Sequence, residues 1–481
     1  MYDTIIIGND ISSLVAALAT VRSGIKTVWI REGNIPDLYS ESGYIFNIDP
    51  FPWSGLGHEQ RFRRFLASID ILLADRTTLY SLHPSLQIIF QKHRLDLFSG
   101  IKFQLQEIRR EFFVDTDGIE KFFDSVIKNS TIISDLINEN PYILPRTFQE
   151  FCKLLFNIPA LLLHKINLSR RVNAIQKPLS LKTIIDAEIL LLSNLQTNME
   201  TPLSVAHALA SLLNTSYYIM GGKHNLILEC ERKFQALGGT LIKGCSVLRL
   251  NINEDIKTDI LVDDKALTIA GHDVIISSKW EKFRPIILND KRFSKYAKKY
   301  MTIGNATYPF TIHMGLHDKG LPEKLAAYSV IIFDEKKPLT NNNLVFLETS
   351  LRNDTERAPI GKRALSATVF LDDSPLRLND DNLTCVAEDI LKNIEEFFPF
   401  FRQNLDFINI KKSIDISRKY QEILNLKYSL KRNTILGVAP ITNKTPVKNV
   451  YVTGGMLLAG LGFDGEIISG LNAANLVSGD G

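Results

Sequence analysis

Near its start the chain reads Asp3-Thr4-Ile5-Ile6-Ile7-Gly8-Asn9-Asp10-Ile11-Ser12-Ser13. A continuous β-branched run ending at glycine is the pattern of a buried parallel strand that stops in a tight turn. From Ile11 the period changes. Ile11, Leu14, Val15, Leu18 and Val21 recur at helical spacing, and Ala16, Ala17 and Ala19 let that helix lie close against a sheet. Gly24 marks its C-terminal end. Lys26-Thr27-Val28-Trp29-Ile30 is the next strand, and it ends at Arg31-Glu32. A strand–helix–strand unit of about 30 residues has the size of a dinucleotide-binding βαβ.

The chemistry of such a unit is anion binding. The helix N-terminus presents unpaired N–H groups and a partial positive charge, where a pyrophosphate can sit. An acid about 20 residues further on can accept ribose hydroxyls, and Glu32 stands there. Gly8, Asp10, Ile11, Ser12, Ser13 and Glu32 are therefore candidate cofactor-binding residues. In the Gly-x-Gly-x-x-Gly register, Asp10 takes the second glycine position and Ser13 the third. Asp10 adds a side chain and a negative charge near the expected anion. The competing reading makes Asp10 the helix N-cap, with no nucleotide bound.

A second strand–loop–helix closes the sequence. Val450-Tyr451-Val452-Thr453 precedes a stretch with Gly454, Gly455, Gly460, Gly462, Gly465 and Gly470, and from Glu466 the apolar spacing is helical. Glycines here would let backbone approach a bound ring closely. Gly455, Gly462, Phe463, Asp464, Gly465, Glu466 and Ile467 are the candidates from this segment. Alone it reads equally as a surface turn before a helix.

Between these ends, Gly221-Gly222-Lys223-His224 opens a helix over 225–237, stopped by Gly238-Gly239. Thr240–Ile242 and Ser246–Leu250 read as two strands. Asp259–Val262 and Ala266–Ile269 flank the turn Asp263-Asp264-Lys265 as a hairpin, and His272–Ser277 returns as an apolar strand. Residues 100–215 are mostly helical in pattern. Strand-like runs such as Phe310–Met314, Val330–Phe333, Leu344–Leu347 and Leu365–Phe370 populate 300–425.

The 481 residues carry a net charge of +3, which argues against a strongly basic nucleic-acid binder. Four scattered cysteines, Cys152, Cys230, Cys245 and Cys385, show no zinc spacing and read as buried, reduced thiols of a cytoplasmic protein. No signal peptide is read at the N-terminus. The apolar patches Ile158–Leu163 and Ile189–Leu192 are too short to span a bilayer. The expectation is a soluble protein, at most peripheral to a membrane.

In order, these motifs are the βαβ ending in an acid, Gly43–Pro50, the Gly221-Gly222 helix, the Val247 strand, Asp273–Ile276, Ala358–Lys362, Phe398-Pro399 and Gly-Phe-Asp-Gly-Glu-Ile-Ile-Ser-Gly at 462–470. The sequence resembles the phytoene-desaturase-like branch of the FAD-dependent oxidoreductases, related to the flavin amine oxidases. The resemblance implies an α/β fold: a Rossmann-like FAD-binding domain with a parallel sheet, and an inserted α+β substrate domain. The FAD domain would comprise 1–75, 215–285 and 430–481, and the substrate domain 76–214 and 286–429. Gly8 would hold the pyrophosphate, Glu32 the adenosine ribose, and Val247 the adenine through its backbone. The segment Gly462 to Ile467 would lie along the flavin. The implied activity is desaturation, saturation or isomerisation of a small apolar, isoprenoid- or lipid-like substrate by hydride transfer at the flavin. The rival is a cofactor-free interaction or scaffold protein on the same fold, because Asp10 and Ser13 break the fingerprint. His313 reads as a structural histidine, and His58 is a weak candidate for the site. Phe397–Phe401 reads as a buried helix end or, alternatively, a membrane contact.

Overall fold

The computed structural model describes residues 1–74, 78–112, 117–139, 179–196, 202–214, 216–253, 256–430 and 441–479. β1 (Tyr2–Ile7) is the heart of a six-stranded sheet. It pairs in parallel with β2 (Thr27–Glu32) on one side and with Lys265–Ser277 on the other. β2 pairs in parallel with Thr240–Ile252, and Val450–Thr453 adds at the far edge. Ile5, Ile6, Ile7, Val28 and Ile30 are fully buried, as strands covered on both faces require.

The segments read as separate short strands are longer. Thr240–Ile252 and Lys265–Ser277 each run 13 residues. Their inner halves belong to the parallel sheet. Their outer halves pair antiparallel with Ile256–Val262 to form a three-stranded meander. Asp263 and Asp264, both at positive φ, make the tight turn between two of its strands.

One face of the sheet carries α1 (Ile11–Arg22), the helix Lys223–Ala236 and the C-terminal helix Gly462–Ser478, which share one core. The other face packs on Trp280, Phe283, Phe293, Tyr296 and Tyr300.

A second, eight-stranded sheet is built around Ile303–His317, Lys362–Leu371, Leu344–Thr349 and Tyr328–Ile332. The helix Asp380–Phe397 covers one face. Helices 101–112, 117–139, 179–192 and 202–213 build the core on the other. The hairpin Leu38–Glu41/Tyr44–Asn47 reaches from the first sheet to the second. There Asn47 Nδ2 donates to Glu348 at 2.5 Å, and Glu348 pairs with Arg357, both wholly buried.

His313 is buried in a strand with Nδ1 at 3.0 Å from Ser366 Oγ, and burial drives its pKa down to about 3, so it is a neutral structural histidine. His58 is exposed. Phe398 and Phe401 are buried and Phe400 is exposed. Cys230 and Cys245 are buried, but Cys385 is exposed on the outer side of its helix, contrary to the expectation for it. Cys152 and Ile158–Leu163 lie outside the described residues. Among the described residues, no helix is long and apolar enough to cross a membrane.

Candidate active site

The end of β1 is closed by Asp10. Its backbone is extended, and its Oδ1 accepts from the Ser13 N–H at 3.0 Å and the Ser13 hydroxyl at 2.6 Å. Oδ2 accepts from Ser277 Oγ at 2.8 Å. Asp10 is thus the N-cap of α1 and a strap to the neighbouring strand. Gly8 has to be glycine for the same reason: a Cβ there would lie 2.3 Å from Ser13 Oγ and 2.5 Å from Ser277 Cβ. Ile11 lines the adjacent cleft, while Ser12 is buried beneath the C-terminal helix.

At the end of β2, Glu32 Oε1 accepts from the Val247 N–H at 2.9 Å and from Lys282 Nζ, and Oε2 accepts from the Trp280 indole. Asn9 Nδ2 ties this corner together, donating to the Glu32 carbonyl at 3.1 Å and to Glu422 Oε2 at 2.9 Å. Burial raises the Glu422 carboxyl to about 7, and Asp10 and Glu32 add to the rise. Glu32 and Val247, expected to serve one site, are in direct contact.

The C-terminal glycines are positions of close internal packing. A Cβ at Gly462 would fall 1.8 Å from the Leu192 carbonyl oxygen, and one at Gly470 would fall 2.5 Å from that of Ser12. Gly465 sits equally tight on Leu458. These residues let the helix pack on the end of helix 179–192, on its own preceding loop and on α1. Gly455 lies against Glu466 and Asn194, which both line the cleft. Phe463 also lines it and stacks on Trp53 with centroids 5.3 Å apart. Asp464 turns elsewhere, to His207 at 3.2 Å. Ile467 is wholly buried in the helix core.

A cleft is lined by Asn9, Asp10, Arg31, Asn47, Asp49, Lys279, Trp53, Asn194, Lys223 and Phe463. Its cations are partnered. Arg31 pairs with Asp37 at 2.7 Å and with Glu231. Lys279 pairs with Glu466 at 2.9 Å, and Lys223 Nζ donates to the Asp49 carbonyl at 2.7 Å. Burial lowers the Lys223 pKa, opposed by Asp49. Burial alone would lower Lys279 as well, but Glu466 and Asp10 more than reverse this and keep it charged. Asn9 Oδ1 and Asp49 Oδ1 are buried with no hydrogen-bond partner among the described residues. A second, mainly apolar pocket shares Pro52 and Trp53 and is lined by Leu56, Leu86, Leu191, Leu192 and Leu212.

Sequence reasoning missed Arg31, Trp53, Lys223, Lys279, Trp280 and Lys282. Lys223 carried a signal, since it starts a helix directly after Gly221-Gly222. The others act through contacts that no local pattern announces.

A parallel sheet with a β-meander, an acid at the end of β2 and two helix N-termini beside one cleft make a Rossmann-like α/β fold. No family model matches the sequence. The prolycopene isomerase of carrot (Daucus carota, chloroplastic) is 22% identical in an alignment covering all of this chain and 80% of that protein. An oxidoreductase from Methanosarcina mazei matches in structure with a TM-score of 0.60 and 15% identity, over 98% of this chain and 99% of its own. Cyclohexylamine oxidase from Brevibacterium oxydans matches with a TM-score of 0.59 and 11% identity, over 100% and 99%. The resemblance to the phytoene-desaturase-like branch of the FAD-dependent oxidoreductases therefore stands.

Proposed function

We propose that the chain is an FAD-dependent oxidoreductase acting on an apolar, isoprenoid- or lipid-like substrate. The observation that carries this reading is the pair of buried, unpartnered oxygens, Asn9 Oδ1 and Asp49 Oδ1, on the wall of the cleft. Their place on the cleft wall is what distinguishes them, and the hydroxyl and N–H groups of a flavin nucleotide are suitable donors. FAD when bound would supply the uptake or delivery of a hydride. Residues 1–75, 215–285 and 430–481 would form its domain, with the remainder holding the substrate.

In this reading Gly8 and the start of α1 meet the pyrophosphate, Glu32 the ribose and Val247 the adenine. Glu466 and Phe463 border the flavin end. The apolar pocket beyond Trp53 excludes water and takes the hydrocarbon part of the substrate. The carrot relative, named for isomerising prolycopene, supports a substrate of that class.

One observation favours a second reading, a cofactor-free interaction protein. Both Asp10 oxygens are satisfied by the chain's own donors at the position a phosphate would need. An absorbance spectrum of the purified protein, before and after reconstitution with FAD, separates the two. A flavin band that stays with the protein through gel filtration supports the enzyme. A protein that remains colourless supports the second reading.

A further inference from the structure

Both polar groups of the Val247 backbone are engaged by the chain itself. The N–H donates to Glu32 Oε1 at 2.9 Å, and the C=O accepts from Lys282 Nζ at 2.7 Å. Lys282 and Glu32 pair with each other, which closes a three-membered ring of contacts. An adenine edge that pairs with a strand backbone offers one acceptor to an N–H and one donor to a C=O. Here the Glu32 carboxylate supplies the acceptor and the Lys282 ammonium the donor.

The two partners are held unequally. Glu32 is fixed by the indole of Trp280, which is 2% exposed. The Lys282 side chain is 46% exposed and stands on a flexible stem. Lys282 is therefore the member that can swing out into water.

We propose that Lys282 is a latch on the adenine site, which an adenine nucleotide must displace before it can reach Val247. This rests on the FAD reading above and adds to it a cofactor site whose adenosine end is held shut by the chain's own ion pair. The latch is a half-exposed pair, so its displacement weakens binding only modestly.

The test is titration of FAD, ADP and FMN into the full chain, followed by flavin fluorescence or calorimetry. Wild type, Lys282→Met and Lys282→Arg are compared, with circular dichroism melting to verify folding and Lys282→Ala as the alternative variant. The expected result is that Lys282→Met binds FAD and ADP about three- to tenfold more tightly. FMN, which lacks adenosine, binds wild type and Lys282→Met alike, and Lys282→Arg behaves as wild type. Equal FAD affinity in wild type and Lys282→Met overturns the latch and leaves the FAD reading standing. A gain shared by FMN also overturns the latch alone. Failure of all three ligands to bind either protein overturns the FAD reading and the latch with it.

Discussion

Asp10 and Ser277 meet across the end of the first sheet, with the serine hydroxyl 2.8 Å from the aspartate Oδ2. The contact joins the start of α1 to the strand beside β1, at the point where a dinucleotide-binding turn would present bare backbone. One carboxylate therefore stabilises the fold and, in the proposed reading, would also stand beside the phosphates of the ligand.

Replacing Asp10 should separate these two roles. Asp10→Gly removes the side-chain cap of α1, which costs only a few tenths of a kcal/mol when the replacement is glycine, and the buried bond from Ser277, so stability should fall by about 1–2 kcal/mol in thermal or urea unfolding, mostly through the lost Ser277 contact. It also removes a negative charge at a helix N-terminus, so FAD should bind about ten- to thirtyfold more tightly. Unchanged affinity would mean that Asp10 does not face the phosphates.

Lys279 and Glu466 form a buried pair on the cleft wall. Lys279→Met leaves a buried carboxylate unpaired and should cost about 3–5 kcal/mol in chemical denaturation. The double substitution Lys279→Met/Glu466→Leu should regain most of that loss, because replacing both partners with apolar groups removes the stranded charge. Additive losses would show that the two side chains do not depend on each other.

Glu422 sets a pH dependence. Its carboxyl is raised from 4.5 to about 7 in the folded chain, mainly by burial. The native state then holds a proton that the unfolded state has released, so stability falls as pH rises from about 4.5 through 7. Glu422→Gln should be more stable than wild type by about 1–3 kcal/mol at pH 8, with the difference vanishing near pH 4. Melting curves at the two pH values check this. A difference that persists at low pH would show that ionisation is not its source.

Gly470 sits where the C-terminal helix crosses α1. A valine there would press on the Ser12 carbonyl and on Val15, both parts of a rigid helix. Gly470→Val should destabilise by about 1–3 kcal/mol or more. Gly238→Ala is the comparison: a Cβ there meets nothing within 4 Å, though its φ of +90° carries backbone strain. A cost for Gly470→Val well below about 1 kcal/mol would show that the two helices give way to admit the side chain.

The βαβ unit was legible because its signals are local: a β-branched run, a change of period and a glycine cap. The hairpin was legible, but not the joining of Thr240–Ile252 to it as the third strand of a meander. Thr240–Ile252 changes partner midway without changing direction, and the chain's own pattern does not record which strand it faces. Glu32 was found by its spacing from Gly8. Trp280 and Lys282, which hold it, lie 248 and 250 positions away, beyond any motif. The glycine crowd was visible, but its reason was not. Whether a missing Cβ makes room for a ligand or for Leu192 and Ser12 depends on what the fold brings against it.

The first sheet draws on strands spread along the sequence, and its last strand docks Val450 against Val274. On a ribosome, β1 and β2 would emerge long before that partner, and Lys265–Ser277 would wait with an open edge. Such an edge is a template for pairing with other chains, and closure across so long a span is slow. The interval between synthesis of residues 277 and 450 is thus the time when this protein most needs shielding, whatever cofactor it later takes up.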